Sequence, residues 1–348
     1  MNTIVKKLER YQELDALRGI AALLVVFFHL TMSVEDNSSF LKLGVTGVDL
    51  FFIISGFVIF MSLQNNSNTR VFIINRICRL YPTYWAAVIF TFLIILTLTI
   101  YNSDENVLYL FPKFIINLTM LQFYFNVGDI DGTYWTLIIE LLFYAFILGL
   151  FKSRYLKYFK FIGVFICSIT IISCYYFYDV EQVKNIISWI PLFQFFPLFF
   201  SGIIFYKIFN SNEKVYVNYL LIIFCLLCQI SLFPYSGRSH LYISWADYSI
   251  MMGSYFILFS LFVNNRLKMF VNKVTLFFGK ISYALYLIHQ YISVSIIIPL
   301  FYHKLQMNFW CVIFFIDLPI IICIATLITY KLEIPFSKKM KDKLYALL

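Results

Sequence analysis

The chain has 348 residues, of which 61% are hydrophobic and 13% charged, with a formal net charge of +9. Soluble domains carry about a quarter charged residues, so this composition excludes a soluble globular protein. Stretches long enough to cross ~30 Å of hydrocarbon as helices recur along the whole length. They are read at about 14–34, 45–63, 83–102, 132–151, 157–178, 188–209, 215–235, 244–263, 281–301 and 308–330, ten in all.

The first span, LDALRGIAALLVVFFHL, carries Arg18 and, eleven positions later, His29. Eleven residues are close to three helical turns, so both side chains lie on nearly one face, roughly 16 Å apart along the axis. Ionisable groups inside a membrane helix are costly and mark function. The plainer reading has Arg18 snorkelling to the surface and His29 packing in a core; the alignment of the two favours the functional one. Glu13, Asp15 and Arg18 interrupt the start and no small-residue cleavage site follows, so the first helix is expected to remain in the mature protein.

The second span opens GVTGVDLFFIISGF, which puts Asp49 near the outer surface, either in a site or capping the helix. In RVFIINRICRLYPTYW, Arg76 and Arg79 share a helical face. Pro82 suits the first turn of the third span, whose N-terminus would add a positive dipole end beside them. Two guanidinium forks there would bind phosphates, although basic residues at this point also serve topology alone. The stretch 107–125 is apolar but broken by Pro112 and Lys113, and reads as interfacial or re-entrant.

The fourth span, DGTYWTLIIELLFY, places Glu140 a turn or two below the outer surface, where a carboxylate without partners would be expensive. It either joins a site or bonds Tyr144 or a neighbouring helix. Tyr134 and Trp135 belong to an aromatic belt or stack on a sugar at a cavity mouth. Most of the seven cysteines lie inside spans as small apolar residues, and the Cys225–Cys228 pair lacks a second ligand pair for zinc, so no metal is expected. In the ninth span, SYALYLIHQ, Ser282, Tyr286 and His289 form one polar stripe near mid-membrane. The basic end 331–348 reads as a short tail on the inner surface. No internal repeat is visible, and 1–348 reads as a single membrane domain.

With both termini cytoplasmic, the inner segments collect Lys6, Lys7, Arg10, Arg70, Arg76, Arg79, Lys152, Arg154, Lys157, Lys160, Lys207, Lys214, Arg266, Lys268, Lys273 and Lys280 together with the tail. The outer ones keep only Lys42, Lys113, Lys184, Arg238 and Lys304. This is the positive-inside pattern. The positive charge is therefore a topological signal, and nucleic-acid binding is rejected. The expected fold is an all-α integral membrane bundle of about ten helices.

His29, Asp49 and Glu140 fall at similar depth on three helices. A histidine beside a carboxylate is the arrangement of a general base held in one tautomer, suited to deprotonating an attacking hydroxyl. No serine sits in a nucleophile elbow.

These strings together resemble acyltransferase family 3, the integral-membrane O-acyltransferases that modify cell-surface polysaccharides and related glycans. The matches run in order through LDALRGIAALLVVFFH with its R-x10-H, GVDLFFIISGFVI, RICR followed by LYPTYW, YWTLIIELLFY, FFSGIIFY, SYALYLIH and the E-x-P of Glu333 and Pro335. The ending KLEIPF is less basic than the usual version. The resemblance implies a cytoplasmic acyl-CoA donor, acetyl by default, and essential roles for Arg18, His29, Arg76 and Arg79. It implies a glycan or lipid-linked glycan acceptor and a bacterial cytoplasmic membrane. It also points to the stand-alone glycan acetylases rather than relatives with an added extracytoplasmic domain.

The expected mechanism sets CoA phosphates on Arg76 and Arg79 and runs the pantetheine arm along Arg18. His29 acts as base, oriented by Glu140, and Asp49, Tyr134, Trp135, Ser282, Tyr286 and His289 line the acceptor side. The competing reading is a proton-coupled transporter of a lipid-linked sugar or small solute, which would ordinarily show a repeated architecture. A scaffold for a polysaccharide-export complex would need none of the buried ionisable groups.

Overall fold

The computed structural model describes residues 11–32, 39–64, 68–102, 107–210 and 215–347. Lys6, Lys7, Arg10 and Lys214, counted above among the inner-face charges, lie outside the described residues. The protein is all-α, with no strand among the described residues. Its main helices are α1 (Gln12–Thr31), α2 (Gly47–Gln64), α3 (Thr69–Tyr101), α4 (Val107–Asn117), α5 (Trp135–Lys152), α6 (Phe159–Tyr176), α7 (Glu181–Trp189), α8 (Leu192–Asn210), α9 (Val215–Ser231), α10 (Trp245–Val263), α11 (Lys273–Lys304) and α12 (Phe309–Tyr345). Among the described residues, nine helices are long and apolar enough to cross a membrane. The tenth expected span is α9, whose 17 residues reach about 26 Å, at the short end of a crossing helix.

Local chemistry explains several boundaries. Glu13 and Asp15 sit in the first turn of α1, where a negative charge complements the helix dipole, and His29 sits in its last turn. Ser244 and Asp247 form a reciprocal capping box at the start of α10. The sequence reading places the third span at 83–102, but α3 begins at Thr69 and holds Pro82 in its interior. Its 33 residues extend about 50 Å, well beyond the hydrocarbon thickness. Arg76 and Arg79 therefore lie two to three turns inside a helix. The dipole fades within the first turn, so it adds little at either arginine.

The stretch 107–125 does not span. α4 has 11 residues, about 16 Å, and a short 3-10 turn, Gln122–Phe125, follows it. Three aromatic side chains of α3 hold it. Tyr84 donates to Asn117 O at 2.6 Å, Trp85 Nε1 to Leu118 O at 2.9 Å and Tyr81 to Thr119 O at 3.0 Å. Asn117 itself is buried, donating to Lys113 O and Gly128 O and accepting from Ile130 N–H.

The chain divides into two compact units. The first comprises the described residues of Met1–Phe28, Glu35–Thr69 and Ile139–Gly279. Its core is aromatic: Phe57, Phe60, Phe143, Phe199, Phe200, Phe205 and Phe259 are fully buried, and Phe143 stacks on Phe199 with centroids 4.2 Å apart. α2 and α8 cross here at two glycines. A Cβ on Gly56 would lie 2.1 Å from Phe199 O, and one on Gly202 would lie 2.2 Å from Ile53 O, so the backbones touch. Close approach through small residues gives membrane helices dispersion contact that lipid does not replace.

The second unit comprises the described residues of His29–Val34, Arg70–Ile138 and Lys280–Leu348. It is tied by polar links. Ser293 donates to Asp317 Oδ1 at 2.7 Å between α11 and α12, both residues fully buried. Tyr283 donates to Leu80 O, and Tyr345 to Asn75 Oδ1. Three stretches of its last two helices, Ser293–Lys304, Val312–Asp317 and Ile328–Glu333, are wound as π-helix. Helical winding continues through Tyr345, across most of the segment read as a tail.

Substituting Gly202→Val forces α2 and α8 apart. We expect a cost of about 1–3 kcal/mol, read as a lower melting temperature of the detergent-purified protein. An unchanged melting curve would contradict the backbone contact.

Candidate functional site

Within the second unit, His29 from the last turn of α1 meets His289 from α11. His289 Nε2 lies 3.1 Å from His29 Nδ1, with ring centroids 5.0 Å apart. The other nitrogen of His289 is 3.1 Å from Leu285 O and 2.9 Å from Tyr286 O. His289 is fully buried, whereas His29 is only partly so. Of the two rings, only that of His29 keeps exposed surface.

The rest of the α11 stripe also faces inward. Ser282 and Tyr286 are buried. Tyr286 OH lies 2.8 Å from Thr136 Oγ1 and donates to Thr133 O at 3.1 Å. One turn on, Tyr291 N–H donates to Asp131 Oδ2 at 3.0 Å, while Asp131 Oδ1 accepts from the Thr133 N–H and hydroxyl at 3.1 and 2.9 Å. Asp131 is 0% exposed. Burial pushes its carboxyl up to about 6, with the Thr133 and Tyr291 donors pulling the other way and the nearby Asp129 charge adding to the rise. The helix turn that carries His289 is thereby anchored on both sides to the segment 131–136. Tyr134, in that segment, is fully buried against Tyr84 with centroids 5.1 Å apart. It is a packing residue, not a stacking face at a cavity mouth; Trp135 beside it is partly exposed.

Glu140 lies in the first unit. Its Oε1 accepts from Ser55 at 3.0 Å and from the Tyr144 hydroxyl one turn along α5. Bonding Tyr144 was one of the two readings open to it, and Ser55 supplies the neighbouring helix. Both bonds of Glu140 lie within the first unit, and His289 is the neighbour of His29 within the second. Asp49, in the same unit, is 1% exposed, and neither carboxylate oxygen has a hydrogen-bond partner among the described residues, so it does not cap α2.

Arg18 remains partly exposed in the first unit, with Nη1 3.5 Å from Asp15 Oδ1 one turn back. In the second unit, Arg79 Nη1 lies 3.2 Å from Glu333 Oε1, joining the R-x-x-R string to the E-x-P string 254 residues later. The arginine side chain keeps 46% of its exposure while that of Glu333 keeps 8%. The buried carboxylate fixes one edge of the guanidinium, and the remainder stays available to an anion. The Arg79 guanidinium carbon also sits 6.0 Å from the Tyr283 ring, and that of Arg76 is 5.5 Å from Phe72.

Two acids escaped the sequence reading. Asp317 is the only acidic residue in its span, a signal in plain view. Asp131 lies in a loop, where the spacing to Thr133 marks a helix start without marking burial. Among the described residues, no group of three or more His, Cys, Asp or Glu side chains is placed to hold a metal ion.

The chain is thus a polytopic helical membrane protein in which a partly buried histidine contacts a fully buried one. The family model described as an acyltransferase domain matches residues 11–330, and the chain belongs to that family, acyltransferase family 3. Among its relatives is "Putative acetyltransferase ORF330" of Acidianus two-tailed virus, 27% identical, with 78% of this chain and 80% of the relative covered. Another is "Putative O-acetyltransferase SACOL0978" of Staphylococcus aureus strain COL, 28% identical over 97% of this chain. The chain spans 59% of the length of that staphylococcal relative. No solved structure gives a significant match.

Replacing Asp131 with Ala strands the Thr133 and Tyr291 donors. With about 1–3 kcal/mol for each buried unsatisfied group, we expect faster amide exchange across 131–136 and 285–293. Exchange unchanged from wild type would show that the anchor is dispensable.

Proposed function

We propose that this protein is a membrane O-acyltransferase that moves an acyl group, acetyl by default, from cytoplasmic acyl-CoA to a hydroxyl of a cell-surface polysaccharide or its lipid-linked precursor. The observation that carries the reading is the partly exposed imidazole of His29 held by a fully buried one. Family membership and the names of the relatives support acyl transfer.

His29 takes the proton of the acceptor hydroxyl as its oxygen attacks the thioester carbonyl. The new C–O bond forms, the C–S bond breaks, and the departing CoA thiolate recovers the proton from His29. No proton is gained or lost overall. Arg79, half-exposed and steadied by Glu333, is suited to the CoA phosphates, with Arg76 beside it. Arg18, on the same helix as His29, is assigned to the pantetheine arm or the thiolate. Trp135 keeps a partly exposed ring for the acceptor, Asp49 remains assigned to the acceptor side, and Glu140, expected to orient His29, is bonded to Ser55 and Tyr144. Holding donor and acceptor together supplies the entropic part of the rate.

The purified protein in detergent should release free CoA from radiolabelled acetyl-CoA and transfer the label to a glycan acceptor. A proton-coupled transporter, which needs a sealed membrane to act, would do neither. His29→Ala should lower kcat by about 10²–10⁴, and label transfer at the wild-type rate would remove the base assignment. Arg79→Ala should raise the KM for acetyl-CoA by about tenfold or more, as expected for loss of a charge-assisted phosphate contact. An unchanged KM would move donor binding elsewhere.

A further inference from the structure

The contacts of the histidine pair determine where its protons sit. Carbonyl oxygens only accept hydrogen bonds, so the His289 nitrogen facing them, Nδ1, carries a hydrogen. The His289 ring is fully buried, and its hydrogen bonds go to two neutral carbonyls and another imidazole. A net charge there would be buried without a counter-charge, which is strongly unfavourable. A neutral ring protonated at Nδ1 presents a lone pair at Nε2. The group 3.1 Å away, His29 Nδ1, must then be the donor.

We infer that His289 is a positioning residue, holding His29 as the Nδ1–H tautomer so that Nε2 of His29 is the nitrogen that accepts a proton. In the acyl-transfer reading, on which this part rests, that proton is the one leaving the acceptor hydroxyl. It passes to His29 Nε2 as the C–O bond forms and returns to the CoA sulfur as the C–S bond breaks.

The backing of His289 fits the role. Tyr286, three residues before it, is bonded to Thr133 and Thr136, and the Tyr291 N–H, two residues after it, to Asp131. The turn that presents the imidazole is therefore pinned from outside the helix on both sides.

The test uses full-length protein labelled with 15N-histidine in detergent micelles, with His240→Gln and His303→Gln variants assigning the remaining two rings. Correlation spectra should show hydrogen on Nδ1 and a lone pair on Nε2 for His29. In His289→Ala the His29 signals should move toward the Nε2–H tautomer. Initial rates are taken with acetyl-CoA and p-nitrophenyl N-acetylglucosaminide as the hydroxyl probe. His289→Ala should lower kcat by about 10–100-fold at unchanged acetyl-CoA KM. His289→Gln should recover part of the loss, because its amide oxygen can accept from His29 Nδ1.

An Nε2–H tautomer of His29 in the wild type would overturn the inference. So would a His289→Ala variant with an unchanged His29 spectrum or an unchanged kcat. If His289→Ala does not fold, the wild-type spectrum decides alone. If the wild type releases no CoA yet shows the Nδ1–H tautomer, the acyl-transfer reading fails and the tautomer assignment stands.

Discussion

Inside hydrocarbon there is no water to complete a hydrogen bond, so every buried polar group must find its partner in the protein. The link between His29 and His289 is the point on which the arrangement turns. It gives a fully buried imidazole an acceptable neighbour, and it leaves the other imidazole partly exposed. Much of the second unit can be read as support for that bond. Asp131 and Thr133 hold the α11 turn from one side, and the Ser293–Asp317 bond ties the next part of α11 to α12.

The two units solve the packing problem differently. The first relies on aromatic rings and close backbone approach, with stacked phenylalanines and two glycines where α2 meets α8. The second is laced by hydrogen bonds from side chain to backbone, such as those from Tyr81, Tyr84 and Trp85 onto residues 117–119. Dispersion tolerates small sliding motions, whereas directional bonds do not. The histidine pair and the Arg79–Glu333 pair both belong to the unit whose bonds are directional.

Much of the fold was legible because the membrane imposes a length scale. Among the described residues nine of the ten apolar runs fall on helices long enough to cross and the tenth on the shorter α9, and the short α4 was recognisable from Pro112 and Lys113. Helix starts were less legible. Pro82 looks like a first-turn residue, yet α3 carries it in its interior because thirteen residues before it continue the same helix. Candidate site residues stand out where a polar group interrupts an apolar run, as with Arg18, His29, Glu140 and His289. Their partners do not. Helical spacing reports which residues share a face and says nothing about which distant helix that face meets. Hence depth alone suggested Glu140 beside His29 and did not suggest His289, and Arg79 gave no hint of Glu333.

The π-wound stretches of α11 and α12 bear on how such a chain tolerates insertions and deletions. Widened turns are local stores of an extra residue, and losing one there restores ordinary winding while leaving the flanking faces in phase. α1 contains no such store between Arg18 and His29. Removing a single residue from that interval would rotate one side chain by about 100° relative to the other, parting the faces they share. A one-residue deletion in a π-wound stretch of α11 or α12 would therefore leave the flanking faces in phase, while one inside the eleven-residue interval of α1 would not.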